Sequence, residues 1–511
     1  MFDSSEKPNS PPSVTTRRTF LKEAAAAAAG LTIVPRHVIA GSGMTPPSDL
    51  LNIAGVGVGG MGRANLINLA SQNIVALCDV DWGYADKGFA RLDATIQQTK
   101  GRLDSAKSPS ERQRMEDQIA GAQRLKDVHL PKATRYTDFR EMLDKQKDID
   151  GVLVATPDHL HAIIASAAMD LDKHVYVQKP LTWSVAEARH LAKKAKEKKV
   201  ATQMGNQGHS SDDARLTNEH IAAGTIGEVR EVHVWTNRPL THWPQGIPRP
   251  ETLATDALSW NMQGVMQRLA NAMAGDYAPP SGLRWDLFLG PSAQTAYHPV
   301  YHPFNWRGWV EWGCGALGDM GAHLIDHPFW ALELGLPTSV ETASTPYNQA
   351  TFPAATTTYY DFAARGSMPP VRLTWYDGAL LPPRPEELGD QALDKTGGVI
   401  YVGSKGKLMH ETYGDNPRLL GALADTPAPP QTLPRIATSH ELNWVEAAKG
   451  KGETSCPFEY ASRLTETMLL GLVALKGGGK IHYDGEHMRV TNNAAANDFL
   501  KREYPQGWGL T

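Results

Sequence analysis

A glycine-rich turn close behind a short apolar stretch sets the fold of the first part of the chain. Residues 51–70 read LNIAGVGVGGMGRANLINLA, and Gly57, Gly59 and Gly62 fit the pattern G-x-G-x-x-G. The first glycine permits a tight turn, the second lets a ligand approach the backbone, and the third lets the helix pack closely on its strand. The spacing therefore predicts a strand, a turn and a helix that open a doubly wound sheet.

The next part of the chain repeats the alternation of strand and helix. Apolar stretches in NIVALCDVD, DGVLVATPDHLHA, HVYVQKP and VATQMGNQG are separated by segments with helical patterns. Such alternation predicts an α/β fold, an N-terminal Rossmann domain whose parallel sheet is covered on both faces. We place this domain at residues 50–208 and interpret the charged segment 86–130 as an inserted helical hairpin.

A second domain follows, because 511 residues exceed one ordinary core and the pattern changes after residue 208. Segments such as EVREVHVWTNRP, TTTYYDFAA, PPVRLTWYDG and GGVIYVGSKGKLMH alternate polar and apolar residues. That pattern predicts a C-terminal α+β domain over residues 209–511 with an open, mostly antiparallel sheet.

The N-terminal segment carries an export pattern. Residues 15–34 read TTRRTFLKEAAAAAAGLTIV, with Arg17-Arg18 ahead of Phe20 and a modest apolar stretch. We predict a twin-arginine signal peptide over 1–40 and a linker over 41–49, which gives a periplasmic or extracellular location. The apolar stretch is too short to span a bilayer, so we expect no membrane span in the mature form.

Charge and cysteine content narrow the function classes. The net charge is −4 and no basic domain stands out, so we expect no nucleic-acid partner. Three cysteines are too few and too scattered to indicate a disulfide framework.

The glycine turn and the strand after it predict a dinucleotide site. Gly60 and Met61 complete the turn, where free N–H groups of the helix N-terminus would hold a pyrophosphate. Asp79 ends the second strand about 20 residues further on and would accept hydrogen bonds from the adenosine ribose. A carboxylate there repels a 2′-phosphate, so NAD is the predicted cofactor.

Further strand ends should line the nicotinamide half of the cofactor, because ligands in this fold sit outside the carboxyl ends of the strands. The predicted cofactor contacts there are Thr156, Pro157, His161, Gln178, Lys179 and Asn206. Lys179 lies between a strand and Pro180, and its ammonium would stabilise negative charge on a substrate oxygen during oxidation.

The segment GDMGAHLIDH supplies candidates for proton transfer. Asp319 and His323 are four residues apart, so they share a face of a helix and could act as a proton relay. Two alternatives stay open: a metal site formed by Asp319, His323 and His327, or a polar helix face without catalytic function. We predict the relay and no metal, because Lys179 and a nicotinamide site accompany the pair.

Aromatic residues crowd the predicted substrate side and interleave with polar side chains. Flat rings and hydrogen-bonding groups suit a sugar, although about half of these rings are expected to be ordinary core. The predicted substrate contacts are Trp235, Asn237, His302, Trp306 and His327.

These motifs together resemble the glucose–fructose oxidoreductase/inositol dehydrogenase/rhizopine catabolism (Gfo/Idh/MocA) family, in its exported branch. The resemblance runs from about residue 50 to 511 and includes VGVGGMG, ATPDHLHA, the lysine–proline pair, NWRGWVEWGCGALGDMGAH and LLGLVALKGGGKIHYD. It implies an NAD(P)-dependent oxidoreductase whose second domain covers the cofactor and mediates homo-oligomers.

The resemblance also implies roles for single residues. Lys179 matches the family's lysine beside the nicotinamide, Asp319 and His323 match its Asp-x-x-x-His pair, and Arg307 would approach the nicotinamide. Gln178 departs from the family's glutamate, and its neutral amide cannot offset the charge of Lys179.

Export would constrain the reaction, because NAD is scarce outside the cytoplasm. An exported protein would carry NAD bound in the cytoplasm and would have to regenerate it in each catalytic cycle. We expect an exported NAD-dependent oxidoreductase that acts on a hydroxyl of a sugar or glycoside and binds its cofactor tightly. The alternatives are a redox-neutral NAD-dependent glycoside hydrolase or lyase and a non-catalytic sugar-binding protein.

Overall fold

The computed structural model describes residues 49–106, 109–254 and 261–510, and residues 51 onward form one compact unit. The predicted signal peptide and all but the last residue of the predicted linker lie outside the described residues.

Six parallel strands form the first sheet, in the order β3-β2-β1-β4-β5-β6. The strands are β1 (Asn52–Val56), β2 (Asn73–Cys78), β3 (Thr134–Tyr136), β4 (Gly151–Val154), β5 (His174–Val177) and β6 (Thr202–Met204). The helices between them are α1 (Met61–Leu69), α2 (Trp82–Phe89), α3 (Leu92–Lys100), α4 (Pro109–Arg124), α5 (Phe139–Lys145), α6 (Asp158–Asp170) and α7 (Val185–Lys198). The strand order reverses at β1 and β4, which confirms the predicted doubly wound Rossmann sheet.

Nine strands form the second sheet, in the order β13-β12-β11-β7-β10-β9-β8-β14-β15. They are β7 (Val229–Thr236), β8 (Ser339–Ser344), β9 (Thr356–Phe362), β10 (Val371–Tyr376), β11 (Gly397–Gly403), β12 (Lys407–His410), β13 (Arg418–Leu419), β14 (Ile481–Asp484) and β15 (Arg489–Val490). Every neighbouring pair is antiparallel except β7 and β10, so the sheet is mostly antiparallel, as predicted.

Seven helices accompany the second sheet in the described residues. They are α8 (Asp212–Ala222), α9 (Met262–Met273), α10 (Trp285–Leu289), α11 (Gly315–Leu324), α12 (Asp326–Ala331), α13 (His440–Ala448) and α14 (Phe458–Gly477). The stretch 315–335, which has one continuous helical pattern, is divided at Ile325 into α11 and α12. Within the described ranges, no helix is long and apolar enough to cross a membrane.

Short turns of other helix types complete the described structure. They are the 3₁₀ turns Leu103–Ser105, Gln207–Ser210, Asn305–Gly308, Glu386–Leu388, Gly421–Leu423 and Ala494–Leu500, and the π turn Leu125–His129.

The charged segment 86–130 contains the end of α2 and the helices α3 and α4, which pack on each other as a hairpin. Helix α4 also packs on α1, the helix that follows the glycine turn. The apolar side chains Leu92, Ile96, Ala122 and Leu125 join the core on that side of the sheet. The hairpin therefore packs against α1 and supports its position on the sheet.

Two later helices tie the domains together. Helix α14 packs on α7 of the first domain and on β8 of the second sheet, and its apolar side chains belong to a core that is continuous between the two. Helix α13 follows the strands of the second domain but packs on α1 and β5, where Trp444 is fully buried. The Rossmann core is therefore completed by residues from the last quarter of the chain.

Gly121 offers a test of how the hairpin supports α1. A Cβ atom at Gly121 would collide with the carbonyl oxygen of Ile67 in α1, whereas one at Gly101 would meet nothing closer than 3.6 Å. We expect Gly121→Ala to lower the free energy of unfolding by about 1–3 kcal/mol. Gly101→Ala is the matched control, since its φ of −63° suits alanine. Equal unfolding midpoints of the two variants in urea would contradict the supporting role.

Candidate functional site

The glycine turn forms a cradle of backbone atoms. Gly57 has a φ of +81°, and a Cβ atom there would lie 2.6 Å from the carbonyl oxygen of Ala155. A Cβ atom at Gly62 would collide with the carbonyl oxygen of Gly57, so Gly62 lets α1 pack against the turn. At Gly60 a Cβ atom would meet nothing within 4 Å, and no side chain caps the N-terminus of α1. Free N–H donors thus face open space, as an anion site requires.

Asp79 holds this turn in place from the end of β2. Its Oδ2 accepts hydrogen bonds from the backbone N–H groups of Val58 (2.8 Å) and Gly59 (3.0 Å), and its Oδ1 accepts one from Asp81 (2.9 Å). Burial raises the pKa of the Asp79 carboxyl to about 6, against the opposing effect of these three donors. Each carboxylate oxygen can accept more than one bond, so Oδ1 retains capacity for a ribose hydroxyl.

A cleft of about 420 Å³ runs from the glycine turn to the end of β5. Thirteen residues predicted from the sequence line it: Gly57, Gly59, Gly60, Met61, Asp79, Thr156, Pro157, Gln178, Lys179, His302, Trp306, Arg307 and Asp319. The carboxyl ends of β1, β2, β4 and β5 meet at this cleft, which explains why residues far apart in sequence come together.

Lys179 and Asp319 form an ion pair at one end of the cleft. The ammonium of Lys179 lies 2.7 Å from Oδ1 of Asp319 and also donates to its backbone carbonyl at 2.9 Å. Arg307 (Nε, 3.4 Å) and Arg238 (Nε, 3.9 Å) approach the same carboxylate. Burial would raise the pKa of Asp319, but the charges of Lys179 and Arg307 lower it well below its usual range. Asp319 is therefore ionised.

His323 lies one turn of α11 beyond Asp319, buried and outside the cleft lining. Its Nδ1 has no hydrogen-bond partner, and its ring stands perpendicular to the ring of Tyr413 at 5.0 Å. Burial and the charge of Lys179 lower the pKa of His323 well below its ordinary value, although Asp319 opposes this. The imidazole is therefore neutral near pH 7, the form that a general base requires. Tyr413 lies in the loop between β12 and β13, and no sequence pattern predicted it as part of the site.

Asp158 is a second carboxyl of the cleft and belongs to the strand end, residues 156–159, that is expected to line the nicotinamide half of the cofactor. It begins α6, and its Oδ2 accepts the N–H of Cys314 at 3.0 Å. Burial raises the pKa of Asp158 to about 7, opposed by Arg307 and Lys179.

Gln178 replaces the family's glutamate for a reason that the contacts explain. Its Nε2 donates to Oδ1 of Asn65 at 3.0 Å, and Nδ2 of Asn65 donates to the buried Glu441 at 2.7 Å. A carboxylate at position 178 would face the carbonyl oxygen of Asn65, and the asparagine cannot turn without losing Glu441. The neutral amide of Gln178 therefore fits this buried series of hydrogen bonds. The negative charge that balances Lys179 comes from Asp319.

Several predicted residues lie away from the cleft. The ring nitrogens of His161 contact the carbonyl oxygens of Pro180 (2.7 Å) and Thr156 (2.8 Å), so His161 positions the backbone behind the site. Asn206 donates to Asp326 at 2.9 Å. His327 is fully buried against His410 with neither ring nitrogen hydrogen-bonded, and burial lowers its pKa to about 4. The structure does not place these three among the cleft residues.

The predicted aromatic substrate rim is mainly core. Trp235 is fully buried, and its indole N–H donates to the carbonyl of Asp394 in an apolar cluster apart from the cleft. Asn237 also lies outside the cleft lining and accepts from Arg238 at 3.2 Å. A second group of aromatic rings packs together in a cluster of its own: Trp285, Phe288, Tyr301, Trp306, Trp309 and Trp312. Ring spacing in the sequence could not separate rings that face a ligand from rings that face each other.

His302 and Trp306 both line the cleft, and His302 lies on its cofactor side. Nε2 of His302 contacts Oδ2 of Asp81 at 2.8 Å, just beyond Asp79. Trp306 packs under the guanidinium of Arg307 at 4.3 Å. These contacts bring a loop of the second domain over the end of β2, which a prediction of substrate contacts did not foresee.

The alternative of a metal site has no support in the part of the chain that the structure describes. No group of three or more His, Cys, Asp or Glu side chains there could hold a metal ion. Asp319 is engaged by Lys179, and His327 is enclosed on the far side of the break at Ile325.

The residues of the cleft fit NAD. The uncapped helix N-terminus and the space beside Gly60 suit a pyrophosphate, and Asp79 lies where a ribose would bind. Lys179 and Asp319 line the cleft beyond the end of β5, where the nicotinamide is predicted to bind.

The glycine turn gives a matched pair of variants. We expect Gly60→Ala to keep the unfolding midpoint of the apoprotein but to weaken NADH binding, since the methyl group would fill the open space. Gly62→Ala should weaken both, with a loss of stability of about 1–3 kcal/mol from the collision with Gly57. Thermal unfolding and NADH fluorescence titration separate the two effects. Unchanged NADH affinity of Gly60→Ala would place the pyrophosphate elsewhere.

The hydrogen bonds that join Gln178, Asn65 and Glu441 predict that a charge added at position 178 can be offset by removing the charge at position 441. We expect Gln178→Glu to cost about 1–3 kcal/mol of stability, because Asn65 cannot donate to two buried carboxylates on opposite sides. The added change Glu441→Gln should restore much of this loss, since Asn65 can then turn. A double-mutant cycle in urea measures the coupling. Additive losses would show that Gln178 and Glu441 do not communicate through Asn65.

Comparison with known proteins agrees with this architecture. The family model "Oxidoreductase family, NAD-binding Rossmann fold" matches residues 110–206, and "Oxidoreductase family, C-terminal alpha/beta domain" matches residues 229–510. The second match alone spans more than half of the 511 residues.

Curated relatives are similar over part of their length. The 4-carboxy-2-hydroxymuconate-6-semialdehyde dehydrogenase of Sphingobium sp. is 27% identical over 205 residues, which are 38% of this chain and 62% of the relative. The levoglucosan dehydrogenase of Pseudarthrobacter phenanthrenivorans is 32% identical over 93 residues, 18% of this chain and 24% of the relative. A glycosyl hydrolase family 109 protein of Shewanella pealeana is 27% identical over 235 residues, 42% and 44% of the two chains. The chain thus spans less than two thirds of each of these relatives.

Solved structures share the fold. The WlbA dehydrogenase from Bordetella pertussis, solved with NADH and UDP-GlcNAcA, has a TM-score of 0.51 and 15% identity and covers 85% of this chain and 99% of its own. A levoglucosan dehydrogenase solved with NADH and L-sorbose has a TM-score of 0.51 and 14% identity with the same coverage. With both family domains matched in order, the chain belongs to the glucose–fructose oxidoreductase/inositol dehydrogenase/rhizopine catabolism family of NAD-binding oxidoreductases.

Proposed function

We propose that this protein is an exported NAD-dependent oxidoreductase that oxidises a hydroxyl group of a sugar or glycoside. The observation that carries the proposal is the Lys179–Asp319 ion pair at the reacting end of the cleft, one helical turn from the neutral His323. Support for a carbohydrate comes from relatives and solved structures whose names refer to levoglucosan, L-sorbose or UDP-GlcNAcA.

Different residues stabilise charge and transfer the proton in this reaction. NAD, when bound, supplies the acceptor for the hydride. The ammonium of Lys179 stabilises negative charge that develops on the substrate oxygen, and Asp319 keeps that ammonium in place. The imidazole of His323 takes the hydroxyl proton, because its lowered pKa leaves it unprotonated at neutral pH. Arg307, stacked on Phe304 at 4.2 Å and close to Asp319, places a second positive charge beside the Lys179–Asp319 pair.

A redox-neutral glycosidase is the second candidate. The similarity to glycosyl hydrolase family 109 proteins over 42% of the chain favours it. In that reaction a sugar hydroxyl is oxidised, the glycosidic bond is eliminated, water adds, and the ketone is reduced again. Lys179, Asp319 and His323 would serve the oxidation and the reduction alike, so the same site suits both candidates.

Export and cofactor retention form the remaining part of the proposal. The motif RRTFLK near the N-terminus supports transport by the twin-arginine route to the periplasm or the exterior. A protein that folds around NAD before export would keep the cofactor and reuse it. The second sheet has nine strands, and a sheet of this breadth suits assembly into a homo-oligomer.

The first test is the nucleotide content of protein purified from the exported fraction. We expect denaturation to release NAD or NADH in near-stoichiometric amount, identified by mass spectrometry. The same protein, incubated with a panel of sugars and aryl glycosides, should give either net NADH absorbance or cleavage without net NADH. The first result selects the oxidoreductase and the second the glycosidase. Sugar binding without either change would make the protein a non-catalytic binder.

His323 gives a sharper prediction for the chemistry. We expect His323→Ala to lower kcat about 10²–10⁴-fold, with the exposed His487→Ala as the histidine control. In the unaltered enzyme, kcat/KM should fall only below about pH 6.5, since protonation of a base with a lowered pKa needs more acid than that of free imidazole. An acid limb above pH 6.5, or full turnover of His323→Ala, would assign the base to another group.

A further inference from the structure

The C-terminal segment, residues 501–510, leaves the second domain after the 3₁₀ turn Ala494–Leu500 and returns to the first domain. It has no regular secondary structure of its own. We call this segment the C-terminal strap. Its position is set by side chains that bind the Rossmann domain at three places.

The first contact of the strap is Arg502. Its Nη1 donates to the carbonyl oxygen of His159 in α6 at 3.1 Å, and its guanidinium lies over the ring of Trp183 at 4.6 Å. The side chain is only 9% exposed. A buried guanidinium stacked on an indole is held by both charge and packing, so this end of the strap is firmly attached.

The second contact is Tyr504, whose hydroxyl donates to Oε1 of Glu187 at 2.5 Å. Glu187 is buried and closes the capping box at the start of α7, where its Oε2 accepts the N–H groups of Trp183 and Ser184. The strap is therefore joined to the N-terminus of a helix that packs on the sheet.

The third contact brings Trp508 to the cofactor cleft. Its indole lines the cleft together with Phe139, whose ring centroid lies 6.5 Å away. The guanidinium of Arg140 lies 4.5 Å above the same indole. A backbone hydrogen bond from Trp508 to the carbonyl of Pro505 (3.1 Å) turns the strap toward the cleft.

The position of Trp508 identifies the half of the cleft that it covers. Phe139 follows β3, which pairs with β2, and Asp79 directly follows β2. Lys179 follows β5, on the opposite side of β1. The ribose position at Asp79 thus lies between the reacting end and Trp508. The cleft lining includes the apolar side chains Val80, Leu160, Ile164, Leu287 and Phe288, as well as Thr137 and Asp138 beside Phe139. A flat ring beyond a ribose, in a lining with apolar side chains, suits an adenine ring.

We propose that the C-terminal strap completes the adenine half of the cofactor site, with Trp508 packed against the adenine, and that the strap slows release of the nucleotide. This inference rests on the NAD site of the proposed function and on no assumption about the sugar. It provides a physical basis for cofactor retention, since the nucleotide leaves only when a segment anchored at Arg502 and Tyr504 moves aside.

The test compares nucleotide fragments on the full-length protein. In Trp508→Ala, affinity for ADP-ribose should fall about 5- to 150-fold, the loss expected for one aromatic stacked on a base. Affinity for nicotinamide mononucleotide, which lacks the adenine, should stay the same. Trp508→Phe should recover most of the ADP-ribose affinity, because a flat ring remains. Thermal unfolding of the apoprotein checks that each variant is folded.

Release rates test the anchors. We expect Tyr504→Phe and Trp508→Ala to speed NADH dissociation, measured by stopped-flow displacement with excess NAD⁺, while the apoprotein of Tyr504→Phe stays folded. Equal losses for ADP-ribose and nicotinamide mononucleotide, or unchanged dissociation rates in both variants, would overturn the proposal. Nucleotide affinity is read without turnover, so a protein that oxidises no sugar but responds at Trp508 would refute the proposed function alone. Wild-type protein that binds no nucleotide would refute both.

Discussion

The ion pair between Lys179 and Asp319 holds the two halves of the site in register. Lys179 ends a strand of the Rossmann sheet, and Asp319 belongs to a helix of the second domain, yet their charged atoms are 2.7 Å apart and largely enclosed. Removing one partner of such a pair leaves an uncompensated charge in a poorly solvated place, which costs several kcal/mol. The contact of α11 with the segment that follows β5 and the electrostatics of this end of the cleft thus depend on the same ion pair.

That pair also explains why Gln178 is tolerated. A site built on a glutamate beside the lysine would balance its charge within the first domain. Here the balancing carboxylate comes from the second domain, and position 178 is free to serve the buried chain of Asn65 and Glu441. The chain links three regions of the fold, since Asn65 lies on α1 and Glu441 on α13.

The parts of the fold that follow from local pattern could be predicted from the sequence. The glycine turn, the alternation of strands and helices, and the one-sided strands after residue 208 each reflect a period or a spacing within a few residues. Nine cleft residues, in the glycine turn and at the ends of β2, β4 and β5, were found in this way, because ends of parallel strands meet wherever the strands pair. Asp319 followed from helical spacing, and Arg307 from the family resemblance. The break at Ile325 was not visible, since the apolar pattern continues across it.

The features that sequence reasoning missed are set by packing between distant segments. No local signal distinguishes Trp235, enclosed in its own cluster, from Trp306, which borders the cleft. Trp508, Tyr413 and the role of His302 beside Asp81 likewise depend on how loops of the second domain fold back. Burial of aromatic rings is favourable against either a ligand or one another, so composition alone cannot choose between them.

The return of the chain to its starting domain has a consequence for the order of folding. Asn65 pairs with Glu441, 376 residues later, and His159 is held by Arg502, 343 residues later. Contacts between such distant positions close large loops and form slowly compared with local ones. A growing polypeptide would have its glycine turn early but would lack α13 and residues 501–510 until several hundred residues later. The nucleotide pocket is thus a late product of folding, and loss of residues 501–510 would leave a Rossmann domain with an open pocket.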